Sequence, residues 1–361
     1  MSEEETNTDK ILAEAMRMSG IIEADIVKNP KKYRVLTGDR PTGRLHIGHY
    51  FGSLRNRVRL SRLGVPTMIL IADYQVLTDH DAFDKISQNT KELVIDYLAA
   101  GIEPGENVCI YPHSHVPEAN QLMIPFLTLV SKSDLDRNPT VKDEMAKSSV
   151  PMNAGMYTYP VHQAVDILFC KGNVVPVGKD QLPHIEIARL IARRFNNKFC
   201  PGERPIFPEP HALLPKSPTM IMGLDGNAKM SKSLGNAITL SASEDETAAL
   251  IKKAKTDQDR RITYDPAGRP EVANLLRIIS LCTDEPPESI AERIGDGGGG
   301  ALKKELTEAL NEHLRPLRAR HAELEGQPEL IRKVLEEGVE RARAVARVTL
   351  EEVRHAMNMD F

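Results

Sequence analysis

Tryptophan is absent from the chain, and aromatic residues make up only 4% of it. Cysteine is almost as scarce. The four present, Cys109, Cys170, Cys200 and Cys282, form no CxxC pair and are spaced too widely for a zinc ribbon or an iron–sulfur cluster. They read as free thiols of a reducing compartment. Long hydrophobic runs are missing too: Met68-Ile-Leu-Ile-Ala72 is far too short to span a bilayer. The acidic start Met1-Ser-Glu-Glu-Glu5 has neither the basic residues nor the apolar stretch of a secretory signal. A cytoplasmic location without membrane association is therefore expected. Nor is positive charge in excess. Lys and Arg number 47 against 51 Asp and Glu, a net charge of −4, which excludes a uniformly basic nucleic-acid binder. Contact with nucleic acid must come from a local basic surface.

What remains is ordinary for a folded protein: 361 residues, 41% hydrophobic and 27% charged, enough for two domains. Residues 1–30 read as a polar extension with one amphipathic helix ended by Pro30. A short strand, Tyr33-Arg-Val-Leu-Thr37, follows, and then a helix over residues 48–63. Val65-Pro-Thr-Met-Ile-Leu-Ile-Ala72 does not alternate, which predicts a strand buried on both faces. Residues 87–100 read as a helix closed by Gly101, and Val108-Cys-Ile-Tyr111 as another strand. Strands alternating with helices predict a doubly wound parallel α/β sheet. Ligands of such sheets bind beyond the carboxyl ends of the strands, so segments 38–43, 73–78 and 177–181 should converge on one crevice. After about residue 240 the pattern is helical. The expected division is 1–30, 31–240 and 241–361. Within the last part, the glycine run 295–300 reads as a flexible loop, since no strand precedes it to make a dinucleotide turn.

Two short segments carry chemistry. His46-Ile-Gly-His49 lies where the first loop enters a helix, a place that favours anions. Its imidazoles share a helical face and can donate to one phosphate, while Gly48 leaves room for a flat base. Lys229-Met-Ser-Lys-Ser233 follows Gly223 and Gly226, which predict a mobile loop. Two ammonium groups there can follow a triphosphate as its charge redistributes. The segment is not a P-loop, because Ser231 stands where glycine would be required.

Together these segments resemble the HIGH and KMSKS signatures of class I aminoacyl-tRNA synthetases. Longer stretches resemble the tryptophanyl-tRNA synthetase family, in a divergent bacterial branch. They are Gly38-Asp-Arg-Pro-Thr-Gly-Arg-Leu-His-Ile-Gly-His-Tyr-Phe-Gly-Ser-Leu54, Tyr159-Pro-Val-His-Gln-Ala-Val-Asp-Ile-Leu168, Val175-Pro-Val-Gly-Lys-Asp-Gln181 with His184 and Glu186, Gly223-Leu-Asp-Gly226, and Asn274-Leu-Leu276. The resemblance implies a Rossmann-like catalytic domain and a helical anticodon-binding domain. It implies a homodimer that uses ATP with Mg²⁺, L-tryptophan and tryptophan tRNA, with no tightly bound metal. Tryptophan would form an adenylate and then pass to the terminal ribose of the tRNA. By the same resemblance His46, His49, Lys229 and Lys232 are catalytic. Arg40, Pro41, Thr42, Gly48, His49, Gly178, Lys179, Asp180, Gln181, Ile221, Lys229, Met230, Ser231, Lys232 and Ser233 bind ATP, and Met220 touches the adenine beside Ile221. Asp166, Gln163, Gln75, Val175 and Val177 form the amino-acid pocket, Asp166 accepting the indole N–H. From the residues alone, Asp166 also reads as a helix cap ahead of Ile167 and Leu168.

Three positions depart from the family's commoner pattern: Gln163 replaces methionine, Gln75 histidine, and Glu144 a lysine whose place Lys142 or Lys147 can take. The Gln163 and Asp166 pair also occurs in some tyrosyl-tRNA synthetases, which makes tyrosine the alternative substrate. A non-tRNA adenylyltransferase or a silent paralogue is the more distant one. In the helical part, Arg315, Arg318, Arg320, Arg332, Lys333, Arg341, Arg343, Arg347 and Arg354 are candidate phosphate contacts, or else a solvated face paired with neighbouring glutamates.

Overall fold

The computed structural model describes residues 3–78, 83–138, 153–215, 221–226, 230–232 and 234–361. Five parallel strands form one sheet: β1 (Val35–Asp39), β2 (Thr67–Ile71), β3 (Val108–Pro112), β4 (Val174–Pro176) and β5 (His211–Leu213), in the order β3-β2-β1-β4-β5. β2 is buried at all five positions, as its unbroken apolar run predicts. The chain winds outward from β1 to β3 and then returns to add β4 and β5 on the other side of β1. The order therefore reverses between β1 and β4, and a crevice opens at their carboxyl ends. Segments 38–43, 73–78 and 177–181 leave the ends of β1, β2 and β4 there.

Alternate residues of the central strands feed two cores. Ile69, Ile71 and Ile110 pack with Leu93, Val94 and Tyr97 of the helix Ile86–Ala99. Met68, Leu70 and Tyr111 pack with Val161, Val165 and Phe169 of the helix Ala154–Phe169 and with Ile191 and Phe195 of the helix Leu182–Phe199. The predicted extension helix is Glu3–Ile26, and its Ser19 hydroxyl donates to Ala212 O of β5 at 3.1 Å. No helix of the described residues is long and apolar enough to cross a membrane.

Beyond residue 243 the regular elements are helices, among them Pro270–Thr283, Gly298–Glu325 and Pro328–Ala356. Leu276, Leu306, Leu310, Leu314 and Leu317 belong to the same core as Ile69 and Ile110, so the helical half and one face of the sheet share their apolar interior. The glycine run does not form the expected loop. Gly295–Gly297 is a short turn pinned by Ile262 N donating to Gly295 O at 2.8 Å, and Gly298 already begins a helix.

The last helix covers the edge strand β3. A Cβ at Gly338 would lie 1.9 Å from Ile110 O, so only glycine allows the helix this close. A covered edge cannot pair with another chain. The covering helix also explains several arginines expected to meet phosphates. Arg341 donates to the Gly105 carbonyl, Arg343 and Arg347 hold Glu118 at 2.8 and 3.1 Å, and Arg354 donates to Gln121 Oε1 at 2.7 Å. These groups tie the helix to the first half. Arg318 donates to Thr247 Oγ1 at 2.7 Å. Arg315, Arg320, Arg332 and Lys333 pair with glutamates one turn away, the solvated alternative.

Candidate active site

His46 caps the helical stretch that begins with Ile47–His49. Its Nδ1 accepts from Gly48 N at 3.1 Å, and its own N–H donates to His49 Nδ1 at 3.3 Å. The two rings lie against each other, tilted by 38° with centroids 3.7 Å apart, so both imidazoles do share one site. A Cβ on Gly48 would come within 2.9 Å of the His46 ring, which is why glycine separates them. Arg40 and Thr42 are exposed on the loop before this cap, while Pro41 is buried.

The first signature is laced to the chain that follows the second. Ile47 N donates to Ile238 O at 3.0 Å, and Leu240 N donates to Leu45 O at 2.9 Å. Lys232 Nζ donates to Thr42 O at 3.1 Å, which brings the second signature's lysine onto the first loop. Burial lowers the pKa of that ammonium, and the charges of Asp96 and Glu92 oppose the shift. Ser231 N donates to Asn236 Oδ1 at 2.8 Å, and Asn236 Nδ2 donates to Asp225 at 3.1 Å. Ile221 and Met230 are buried, with Met230 N 3.5 Å from Ile221 O. Asn274 accepts from Met222 N at 2.9 Å and so fixes the same loop from the helical half. Met220, Lys229 and Ser233 lie outside the described residues, as do Glu144, Lys142 and Lys147.

After β4, Lys179–Gln181 forms a turn that leaves Gly178, Lys179 and Asp180 exposed at the crevice. Gln181 Nε2 donates to Asp180 Oδ2 at 3.0 Å. Beneath the turn His184 is buried, between Asn138 Nδ2 at 3.3 Å and Tyr159 OH at 3.1 Å. Burial lowers its pKa from 6.5 to about 4. Below pH 6.5 the unfolded chain therefore takes up a proton that the native ring refuses, and stability falls until about pH 4. Between pH 7 and 4.5 this one group should cost about 2–3 kcal/mol. His184→Gln should lack that share of the pH dependence in urea titrations. An identical pH dependence in the variant and the parent would contradict the assignment.

Asp166 lies near the end of the helix Ala154–Phe169, whose cap is Asn153, so the alternative of Asp166 as a cap does not hold. Its side chain is 3% exposed, and its two oxygens lie 3.2 and 3.1 Å from His113 Nδ1. On the other side of that ring Tyr74 N donates to Nε2 at 3.0 Å, and Asp73 Oδ1 stands 3.3 Å away. These bonds put a proton on Nδ1, facing Asp166. Burial pulls the His113 pKa down, but Asp166, reinforced by Asp73, raises it overall. His162 Nδ1 is 3.7 Å from Asp166, and its Nε2 bonds to Asn120 Oδ1 at 3.0 Å. Burial lowers the His162 pKa, which favours a neutral ring. Ligand atoms of His113, His162 and Asp166 lie within 4.8 Å of one another, close enough to hold a metal ion; their hydrogen bonds already account for the arrangement.

Around this carboxylate, Gln163 sits one turn earlier on the same helix and is half-buried. Val175 is buried in β4, and Val177 follows it half-buried. Gln75 stands next to Tyr74, whose ring is 5.0 Å from that of His113. Sequence reading missed His113, Asn236 and Asp96. The last had a signal: a charge inside the apolar run Leu93-Val-Ile-Asp-Tyr97.

The family model for class I tRNA synthetases of the W and Y type matches residues 28–315. The chain is 42% identical over 338 residues to the tryptophan–tRNA ligase of Clostridium longisporum, covering 91% of this chain and 97% of that one. It is also 42% identical to the tryptophan–tRNA ligase of Treponema pallidum, covering 90% and 97%. Among solved structures, tryptophanyl-tRNA synthetase from Campylobacter jejuni, complexed with ADP and tryptophan, superposes with a TM-score of 0.78 at 32% identity, covering 90% of this chain and 99% of that one. A tyrosyl-tRNA synthetase from Aeropyrum pernix shares the fold, with a TM-score of 0.62 at 21% identity over 84% of this chain and 89% of that one.

Proposed function

The chain belongs to the class I tRNA synthetases for tryptophan and tyrosine, and from that premise we propose how its residues perform the reaction of a tryptophan–tRNA ligase. In the first step a carboxylate oxygen of tryptophan attacks the α-phosphorus of ATP. The bond to pyrophosphate breaks, leaving tryptophanyl-adenylate. In the second, a ribose hydroxyl at the tRNA terminus attacks the acyl carbon, loses its proton, and AMP departs. The first step is an in-line displacement, so positioning and neutralisation of charge supply most of its catalysis.

Asp166 accepts the indole N–H, held in place by His113 Nδ1–H. Gln163, Gln75, Val175 and Val177 shape the pocket around the ring. Asp180 accepts from the adenosine ribose at the turn that includes Gly178, Lys179 and Gln181. Arg40, Pro41, Thr42 and Gly48 line the ATP site, and Ile221 and Met230 present an apolar surface to the base. His46 and His49 donate to the phosphates. Lys232, with Lys229, Ser231 and Ser233 on the same loop, follows the charge that develops on pyrophosphate. Mg²⁺ enters with ATP and neutralises part of the triphosphate charge. Residues 31–240 act as the catalytic domain and 241–361 receive the anticodon end of the tRNA. The working form is a twofold dimer in the cytoplasm, a symmetry typical of soluble oligomers.

One observation carries this reading: a buried carboxylate at the crevice, held by a histidine, with Lys232 already seated on the first signature loop. Lys232→Ala should lower kcat for tryptophan-dependent pyrophosphate exchange by about 100-fold or more, with KM for tryptophan changed less than about threefold. An unchanged kcat would remove Lys232 from the mechanism.

A further inference from the structure

The helical half reaches the first signature through a buried pair, among other contacts. Asp96 has no exposed surface, although it lies in the helix Ile86–Ala99 among Leu93, Val94 and Tyr97. Its Oδ2 accepts from Leu45 N at 2.7 Å. Among the described residues its Oδ1 makes no hydrogen bond, and His321 Nε2, buried and also unbonded, lies 3.4 Å from it. His321 comes from the far end of the helix Gly298–Glu325. Its Nδ1 lies 3.6 Å from Glu325, and Glu325 holds Arg44 at 3.2 Å. One helix turn thus grips both residues that precede His46, Arg44 by its side chain and Leu45 through Asp96. The charge of Asp96 also acts on Lys232 of the second signature.

A buried carboxylate is costly unless its oxygens are bonded. Asp96 is needed where it is because Leu45 N–H has to be satisfied, and its orientation is held only if a polar group meets its second oxygen. We propose that His321 is a positioning residue for adenylate formation: its buried Nε2, 3.4 Å from Asp96 Oδ1, fixes the acceptor of Leu45 N–H and so sets His46 and His49 from the helical half. The proposal rests on the reading of this crevice as the ATP site. Contacts made by tRNA on the helical half then have a physical route to the imidazoles. A shift of the helix Gly298–Glu325 changes the His321–Asp96 distance, and with it the hold on residues 44 and 45.

The test compares His321→Leu, His321→Gln, Asp96→Asn and Asp96→Asn/His321→Leu with the parent, all as full chains. Glutamine can place an amide N–H where Nε2–H stands; leucine cannot. For His321→Leu the account expects kcat/KM for ATP in pyrophosphate exchange to fall about tenfold or more, with KM for tryptophan unchanged. His321→Gln should recover most of the loss. The double variant should fall no further than the worse single variant, because the two residues act as a unit. Amide hydrogen exchange at Leu45 should speed up in His321→Leu and return towards the parent rate in His321→Gln. If His321→Leu only lowers the melting temperature and leaves kcat/KM and Leu45 exchange unchanged, the proposal is wrong. It is equally wrong if glutamine and leucine behave alike. Should the parent fail to exchange pyrophosphate with tryptophan, the substrate reading falls, and Leu45 exchange alone decides whether His321 holds the loop.

Discussion

Asp166→Ala should lower kcat/KM for tryptophan in pyrophosphate exchange by about 100- to 1000-fold, with KM for ATP moving less than about threefold. Two losses add. The indole N–H loses a charged acceptor, and His113 Nδ1–H loses both carboxylate oxygens, 3.1 and 3.2 Å away in the native pocket. Both groups are then buried without partners, and that is what makes a polar pocket selective. Asp166→Asn should be milder, about 10- to 100-fold, because one amide oxygen can still accept from His113 or from the indole, but with no charge. Steady-state exchange with tryptophan and ATP varied separately checks both. Equal changes in both KM values, or none in either, would show that Asp166 serves the fold and not the amino acid.

Arg57→Ala, in the helix Arg55–Arg62 that packs against the end of β1, should be strongly destabilising. The Arg57 side chain is 4% exposed and chelates both oxygens of Asp39, while Tyr97 OH donates to Asp39 Oδ2 at 2.7 Å. Arg57 also donates to Gly38 O at 3.2 Å. Burial alone would push the Asp39 pKa up, but the Arg57 charge and hydrogen bonds, with His49 nearby, hold it below the ordinary value. Removing the guanidinium leaves a partly buried carboxylate with one phenol, a loss of about 3–5 kcal/mol. For a chain of 361 residues that is a fall in melting temperature of about 4–7 °C. Arg57→Ala/Asp39→Asn should recover part of it, because the stranded charge is gone. Thermal unfolding followed by circular dichroism reads both variants. A melting temperature equal to the parent's in Arg57→Ala would mean that the pair contributes nothing net. Asp39 ends β1 at the mouth of the crevice, so the same substitution should also loosen the loop carrying Arg40 and Thr42.

The strands β1, β2 and β3 and the two signatures were legible because their information is local; β5, three residues long, was not. An unbroken apolar run marks β2, and glycine and proline punctuate the loops beside it. What could not be read depends on partners far along the chain. Arg343 looks like a phosphate ligand until the last helix folds back and seats it on Glu118, 225 residues away. Asp166 looks like a cap ahead of Ile167 and Leu168, but its helix had already begun after Asn153. The glycine run 295–300 has the composition of a loop, yet a hydrogen bond from Ile262 turns its first half tightly and its second half starts a helix. His113 and His321 carry no spacing signal at all. Each matters only because a buried carboxylate from another element comes to rest beside it.

The central claim is that this crevice selects tryptophan through a buried carboxylate. Amino-acid-dependent ATP–pyrophosphate exchange, run with each of the twenty amino acids separately on the parent and on Asp166→Ala, tests it most directly. The account predicts exchange with tryptophan alone, and its loss in the variant. Exchange supported by tyrosine in place of tryptophan would contradict the account, as would tryptophan exchange that survives removal of the carboxylate.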